Sequence, residues 1–509
     1  MDAAAHGENV EAQQVGEKGL KANAIGYLSN LVIGVASTAP AYSLAATLGF
    51  VVAVGGVGVH APAVLLVSFV PILLIAFAYK YLNRADPDCG TTFAWGTRAM
   101  GPWVGWMNGW AIFVADVIVM ASLAVIAATY SYLLVGWQSG ATSTPAILIG
   151  SAVWIALMTW ICWRGIELSA RIQQFLLAAE ITILALFAIV ALVKVYANDP
   201  THSLHVHLGW FNPFAIGFSP LVDGLLLGIF IYWGWDSGVS VNEETESAAE
   251  APGRAAVMST IILVLIYLIV SAAAQAYGGT GFLIAHQNDV LSVLGTKVFG
   301  SPWDKLLIIS VLTSASASTQ TTILPTARTT LSMARWGAIP KIFGHIHPRY
   351  LTPDVSTLGM GALSIVWTVL LVGFNSSQDV LGDSITALGF SICFYYGFTG
   401  LICAVYFRKE LFKSVRNFLV AGLMPLVGCL MMFAVFGKAF HDYSEPGAGY
   451  AKPIFGIQVP IVIGIGALIL GVPIMVALAF RLTDFFSRRT EVAPPGLLEA
   501  PTEDVVVEF

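Results

Sequence analysis

The chain is short of charge. Of its 509 residues only 11% are Asp, Glu, Lys or Arg, while 57% are hydrophobic; an ordinary soluble domain carries about 25% charge. With a mean hydropathy of +0.79, it has too little polar surface to dissolve a compact monomer of this size. The aromatic share of 12% excludes a mostly disordered chain. Paired cysteines are missing as well: Cys89, Cys162, Cys393, Cys403 and Cys429 contain no C-x-x-C, which argues against a disulfide framework or a zinc site. There is no basic excess, since the net charge is −6, and a nucleic-acid partner held by a basic field is excluded. The first 24 residues lack a basic stretch followed by an apolar one, so no cleavable signal peptide is expected. Motifs of intramembrane enzymes, such as H-E-x-x-H or G-x-S-x-G, do not occur, and neither a cofactor nor a metal is expected.

What is present is a series of long apolar runs. No Asp, Glu, Lys or Arg falls between Lys21 and Lys80. A membrane-spanning helix needs about 20 mostly apolar residues, and segments near 27–53, 61–82, 102–135, 146–163, 170–195, 219–241, 256–277, 304–333, 355–374, 384–407, 416–437 and 458–481 qualify. They are numbered here as spans 1 to 12. Their length excludes a β-barrel, whose strands are about 10 residues long and alternate. The expected class is therefore an all-α integral membrane protein in a lipid bilayer. Placing both termini in the cytoplasm puts 19 of the 24 lysines and arginines inside and leaves five lysines outside, as positive-inside bias requires. Residues 1–25 and 483–509 then form cytoplasmic tails, acidic and polar or proline-rich, and are expected to be mobile.

Two spans look broken. Span 1 carries Gly34-Val35-Ala36-Ser37-Thr38-Ala39-Pro40, and span 6 carries Tyr232-Trp233-Gly234-Trp235-Asp236-Ser237-Gly238. Pro40 removes an amide donor and clashes with the turn before it. The breaks lie five spans apart, which suits a 5+5 inverted repeat followed by two extra helices. Main-chain groups freed in such a break cannot reach water in hydrocarbon, so they line a cavity or meet a ligand. An α-amino acid zwitterion suits the opposite charges of half-helix ends.

At these residues the chain resembles the amino acid–polyamine–organocation (APC) transporter superfamily. The resemblance rests on the span-1 break, on the run from Phe230 through Asp236 into Asn242-Glu243-Glu244 and Ala251-Pro252-Gly253-Arg254, and on Arg328 to Pro340 with His347-Pro348-Arg349. Two departures touch the inner loops: Glu246-Ser247-Ala248-Ala249-Glu250 replaces most of a basic loop, and Trp336 stands where relatives carry an acid. The resemblance implies a LeuT-like fold working by alternating access. Residues 26–241 would hold the first repeat and broken span 6, 242–410 the rest of the second repeat, and 411–482 the two additional helices. It further implies substrate held at Val35, Ala36, Ser37 and Thr38 and at Trp233, Gly234 and Trp235, with Phe230 closing over it and Thr322 facing the site.

A charge at mid-membrane is costly and defaults to function. Asp116, in span 3, is expected to pair with a substrate ammonium, the alternative being a hydrogen bond to a neighbouring helix. Glu180, in span 5, stands where many relatives have a lysine. It is the candidate proton carrier, because a carboxyl group removed from water holds its proton more readily; the alternative is a residue wetted from the inner vestibule. Asp236 is expected to tie the broken span 6 to spans 1 or 8. Asp223 lies nearer the outer end and is expected to be wetted. His202, His205 and His207 form a loop cluster, read as solvated rather than metal-binding. The hydroxyls of span 8 could coordinate sodium but equally bond back to their own helix. Phe390, Phe394, Tyr395 and Tyr396 could gate from outside or simply pack. The functional expectation is a secondary carrier of amino acids or related amines in an inner (plasma) membrane, proton-coupled, with exchange or sodium coupling as alternatives and a channel or membrane enzyme as competitors.

Overall fold

The structure, a computed structural model, describes residues 15–287, 289–374, 377–449, 451–494 and 498. Among these, twelve helices are long and apolar enough to cross a membrane: Tyr27–Ala53, Gly58–Ala85, Pro102–Leu134, Thr144–Arg164, Ile166–Asn198, Phe218–Ser240, Ala251–Ala285, Lys305–Arg335, Asp354–Gly373, Gly382–Tyr406, Val415–Ser444 and Ile461–Ala479. They correspond one for one to spans 1 to 12. The described residues form no strand, only isolated bridges.

Local chemistry sets the ends. Pro102 opens span 3 directly after Gly101, whose φ of 103° stops the short helix Thr92–Met100. Gly165, at φ 133°, turns span 4 into span 5 with no loop between them. Thr92–Met100 and Val290–Phe299 are helices that do not span, and neither stands among the expected segments because each is too short to read as one. Span 3 runs through the middle of the bundle, against spans 8, 10, 4 and 9. Span 2 packs on spans 7 and 11, and span 1 lies among spans 5, 7 and 8.

The tails correct an expectation. Where described, they are docked rather than loose. Leu20 is fully buried beside Cys89 and Leu331, and Lys18 Nζ lies 2.7 Å from Asp88 and 2.6 Å from Glu243. Burial works against the Lys18 ammonium, but these carboxylates outweigh it and hold its pKa above the ordinary lysine value. At the other end Glu491 meets Arg98 at 2.9 Å, and the amide of Ala493 donates to the Tyr406 carbonyl at 3.0 Å. Both tails thus meet one face of the bundle, the tail face, around a cavity of about 670 Å³ lined by Lys18, Asp86, Asp88, Arg98, Glu243 and Arg335.

Candidate functional site

Span 1 breaks where its sequence says it should. One helix ends at Ser37 and the next begins at Pro40, with Ala39 left-handed at φ 47°. The groups freed there find partners inside the protein. The Ser37 carbonyl accepts from Ser318 Oγ at 2.8 Å, and that of Thr38 accepts from Ser43 Oγ at 2.6 Å. The amide of Ala41 donates to Glu180 Oε1 at 2.7 Å and that of Tyr42 to Ser314 Oγ at 3.1 Å. The positive start of the second half-helix is thus held by a carboxylate of the protein itself.

Span 6 is different. Its first half ends at Tyr232, Trp233 is extended, Gly234 has φ 118°, and helix resumes only at Ser237. The amides of Gly234 and Trp235 meet no acceptor among the described residues, and the carbonyls of Tyr232 and Trp233 meet no donor. The side chain of Trp235 likewise leaves Nε1 buried without a partner. Tyr267 Oη donates to the Ile231 carbonyl at 2.6 Å, closing the end of the first half-helix. The two breaks touch: Ser37 Oγ and Ser237 Oγ are 2.8 Å apart. Thr322 is buried one turn along span 8 from Ser318.

Three buried carboxylates surround this junction, and no lysine or arginine pairs with any of them among the described residues. Glu180 is fully buried, with Oε2 unpartnered, so the wetted alternative gives way. Asp236 accepts from Tyr396 Oη at 2.8 Å, Tyr395 Oη at 3.1 Å and Tyr79 Oη at 3.4 Å. It therefore ties span 6 to spans 2 and 10, not to spans 1 or 8, because the rotation of the helix past Gly234 turns it toward the tyrosines. Asp116 accepts from Thr326 Oγ1 of span 8. In this structure it carries the helix-to-helix bond, since Thr326 occupies the position expected for a substrate ammonium.

The family model for amino acid permeases matches residues 25–463. The chain belongs to that family. It is 23% identical over 385 residues to the low-affinity putrescine importer PlaP of Escherichia coli K12, covering 74% of this chain and 80% of that protein. It is 25% identical over 432 residues to human Asc-type amino acid transporter 1, covering 81% and 78%. With the branched-chain amino acid permease BcaP of Bacillus subtilis it shares 21% over 410 residues, covering 76% and 83%. This permease is thus a multi-pass membrane protein of a transporter family, not an enzyme. Its class is the LeuT-like 5+5 inverted repeat with two C-terminal helices.

In the permease the junction is covered on both sides. Away from the tails, Phe230 meets Tyr42 edge to face at 6.4 Å, and Tyr42 Oη donates to Ser122 Oγ at 3.0 Å. Beyond them lies a cavity of about 450 Å³ lined by Phe50, Asp223, Gln287, Lys438 and Asp442. Asp223 is partly exposed there and bonds to Lys438 at 2.7 Å. On the tail side, Arg328 and Glu244 form a fully buried bidentate pair at 2.8 and 3.0 Å. Tyr42, Ser122, Tyr79 and the Arg328–Glu244 pair escaped the sequence reading as site residues. The signal for the last was present, since two opposite charges inside apolar surroundings need each other. Tyr395 and Tyr396 bond to the Asp236 carboxylate, and Trp233 Nε1 donates to Tyr395 Oη. His205 stacks on Tyr196, and His207 accepts from the Gly209 amide, so these two loop imidazoles have separate partners. Of the span-8 hydroxyls, Thr313, Ser316, Thr319 and Thr321 bond back to their own helix.

Proposed function

We propose that the chain is a secondary carrier of an amino acid or an amine, working by alternating access and coupled to protons through Glu180. One observation carries this: the span-6 break leaves two amides and two carbonyls unmet, pressed against Ser37, among three carboxylates that no basic side chain balances. The amides of Gly234 and Trp235 are donors for a substrate carboxylate. The carbonyls of Tyr232 and Trp233, at the negative end of a half-helix, are acceptors for an ammonium. Val35, Ala36, Ser37 and Thr38 wall the site from span 1, Trp233, Gly234 and Trp235 from span 6, and Thr322 from span 8. Phe230 covers it. Asp116 and Asp236, uncompensated as they are, favour cargo bearing an amine, and Asp116 becomes available to such cargo when Thr326 releases it.

Glu180 bonds the first free amide of the second half of span 1, so the carboxylate that exchanges the proton also holds a segment that must move. The tail face is the cytoplasmic one by its arginine content, with both termini inside a cell inner (plasma) membrane. Residues 26–241 hold the first repeat with broken span 6, 242–410 complete the second repeat, and 411–482 add the last two spans. The reading is tested with purified protein. Thermal stabilisation across amino acids and polyamines identifies the class of cargo, because a ligand that prefers the folded state raises its melting point. Counterflow of the stabilising compound in proteoliposomes is then expected. A permease that no amino acid or amine stabilises, or that passes solute without counterflow, would overturn the proposal.

A further inference from the structure

The tail face carries a basic pocket remote from the junction. It measures about 270 Å³ and lies where span 4 turns into span 5, against the loop before span 9. Lys21, Arg164, Arg171 and Arg349 line it, opposed by the single carboxylate of Glu167. Glu167 is taken by Lys21 at 2.7 Å. None of the three arginines has a carboxylate within ion-pair distance among the described residues. Arg164 lies over the rings of Trp160 at 5.3 Å and Tyr350 at 5.1 Å, and Arg349 lies over Tyr350 at 5.6 Å. Stacking of this kind holds the flat face of a guanidinium and leaves its N–H edge free for an acceptor. Three like charges held together in a concavity repel one another, and an anion with several oxygens relieves that repulsion through charge-assisted, bidentate bonds.

The position selects the anion. Arg164 is the last residue of span 4. Trp160, one turn earlier, is 47% exposed, and Leu168 of the pocket wall and Phe175 beyond it are also exposed. Tryptophan and tyrosine, here Trp160 with Tyr350 of the pocket lining, mark the level where hydrocarbon gives way to headgroups, and exposed Leu168 and Phe175 face the hydrocarbon. The pocket therefore has an apolar rim on its membrane side and water on the other. We propose that it binds the phosphate of an anionic membrane lipid, with Arg164, Arg171 and Arg349 on the phosphate oxygens and the acyl chains along Leu168 and Phe175. A lipid held there joins the turn between spans 4 and 5 to the loop before span 9, which basic pockets at helix ends are suited to do.

The experiment uses the full chain in nanodiscs of phosphatidylcholine with and without phosphatidylglycerol, and with inorganic phosphate as a third arm. Phosphatidylglycerol is expected to raise the melting temperature and to be retained in native mass spectra. Retention should weaken about fivefold for each arginine changed to glutamine, and roughly a hundredfold in the triple variant Arg164→Gln, Arg171→Gln, Arg349→Gln. Arg408→Gln with Lys409→Gln, on the same face but outside the pocket, should change nothing. Equal retention in the triple variant overturns the site. Full stabilisation by inorganic phosphate alone overturns the lipid as occupant. If the triple variant does not fold, Arg349→Gln alone, on an exposed loop, decides the matter: unchanged retention overturns the proposal.

Discussion

Gly234 sits so close to Ser37 that a β-carbon built on it would lie 2.8 Å from the Ser37 carbonyl oxygen and 3.0 Å from Ser37 Oγ. The contact joins the two breaks, and the left-handed φ of 118° adds a second reason for glycine at this position. Gly234→Ala is expected to cost about 1–3 kcal/mol from backbone conformation alone. It should also push the breaks apart, so that stabilisation by substrate falls further than the melting point of the unliganded protein. A β-carbon on Gly55 would meet nothing within 4 Å, and Gly55→Ala should stay within about 0.5 kcal/mol. Thermal unfolding with and without ligand separates the two.

Arg328 and Glu244 are both completely buried and bonded twice. Removing one partner leaves the other charge uncompensated, so Arg328→Ala or Glu244→Ala should each destabilise by about 3–5 kcal/mol. Replacing both by apolar residues of similar volume should cost less than either single change. A double-mutant cycle on melting temperature checks this; additive losses would mean that the pair does not act as one unit.

Asp86 lies just past the end of span 2, 2.7 Å from Arg98. Burial first, and then the neighbouring Asp88, push its carboxyl up to about 6, while Arg98 and Lys18 pull it down. A carboxyl whose pKa is higher in the folded than in the unfolded chain binds its proton more tightly when folded. Its ionisation therefore destabilises the folded state above pH 6, and stability returns as the pH falls from about 6 toward the ordinary aspartate value of 3.8. Asp88, held below its ordinary value by Lys18 in spite of its burial, opposes this only at more acid pH. The melting temperature is expected to rise between pH 7 and pH 5, and Asp86→Asn should flatten that rise. A slope that persists in the variant would assign it to another group.

The spans were legible because hydrocarbon imposes a length on every helix that crosses it, and the two breaks because glycine and proline stand where the main chain must leave the helix. The partners of the buried carboxylates were not. Whether Asp236 meets Tyr79 and Tyr396 or a residue of span 1 depends on how each helix is rotated about its axis, and that follows from packing along its whole length. Asp116 shows the same limit: its place in span 3 could be counted from Gly101-Pro102, but Thr326 had to be brought to it by span 8. Docking of the tail had a signal, since Leu20 is a large apolar residue set between Lys18 and Lys21. A single residue of that kind does not say what covers it.

Glu180 has two tasks that substitution can separate. Its Oε1 accepts from the Ala41 amide at 2.7 Å, a structural task that a glutamine oxygen can continue. Exchange of a proton needs the acid itself. Glu180→Gln should therefore fold and melt close to the parent and keep counterflow of labelled substrate, while losing the accumulation that a protonophore abolishes. Glu180→Ala leaves a buried amide without an acceptor and should cost about 1–3 kcal/mol, with both activities reduced. If Glu180→Gln still accumulates substrate in a protonophore-sensitive way, the proton travels elsewhere and Glu180 only caps the half-helix. If accumulation in the parent is indifferent to protonophore, the carrier is an exchanger or uses another ion, and the bond to Ala41 is all that the carboxylate supplies.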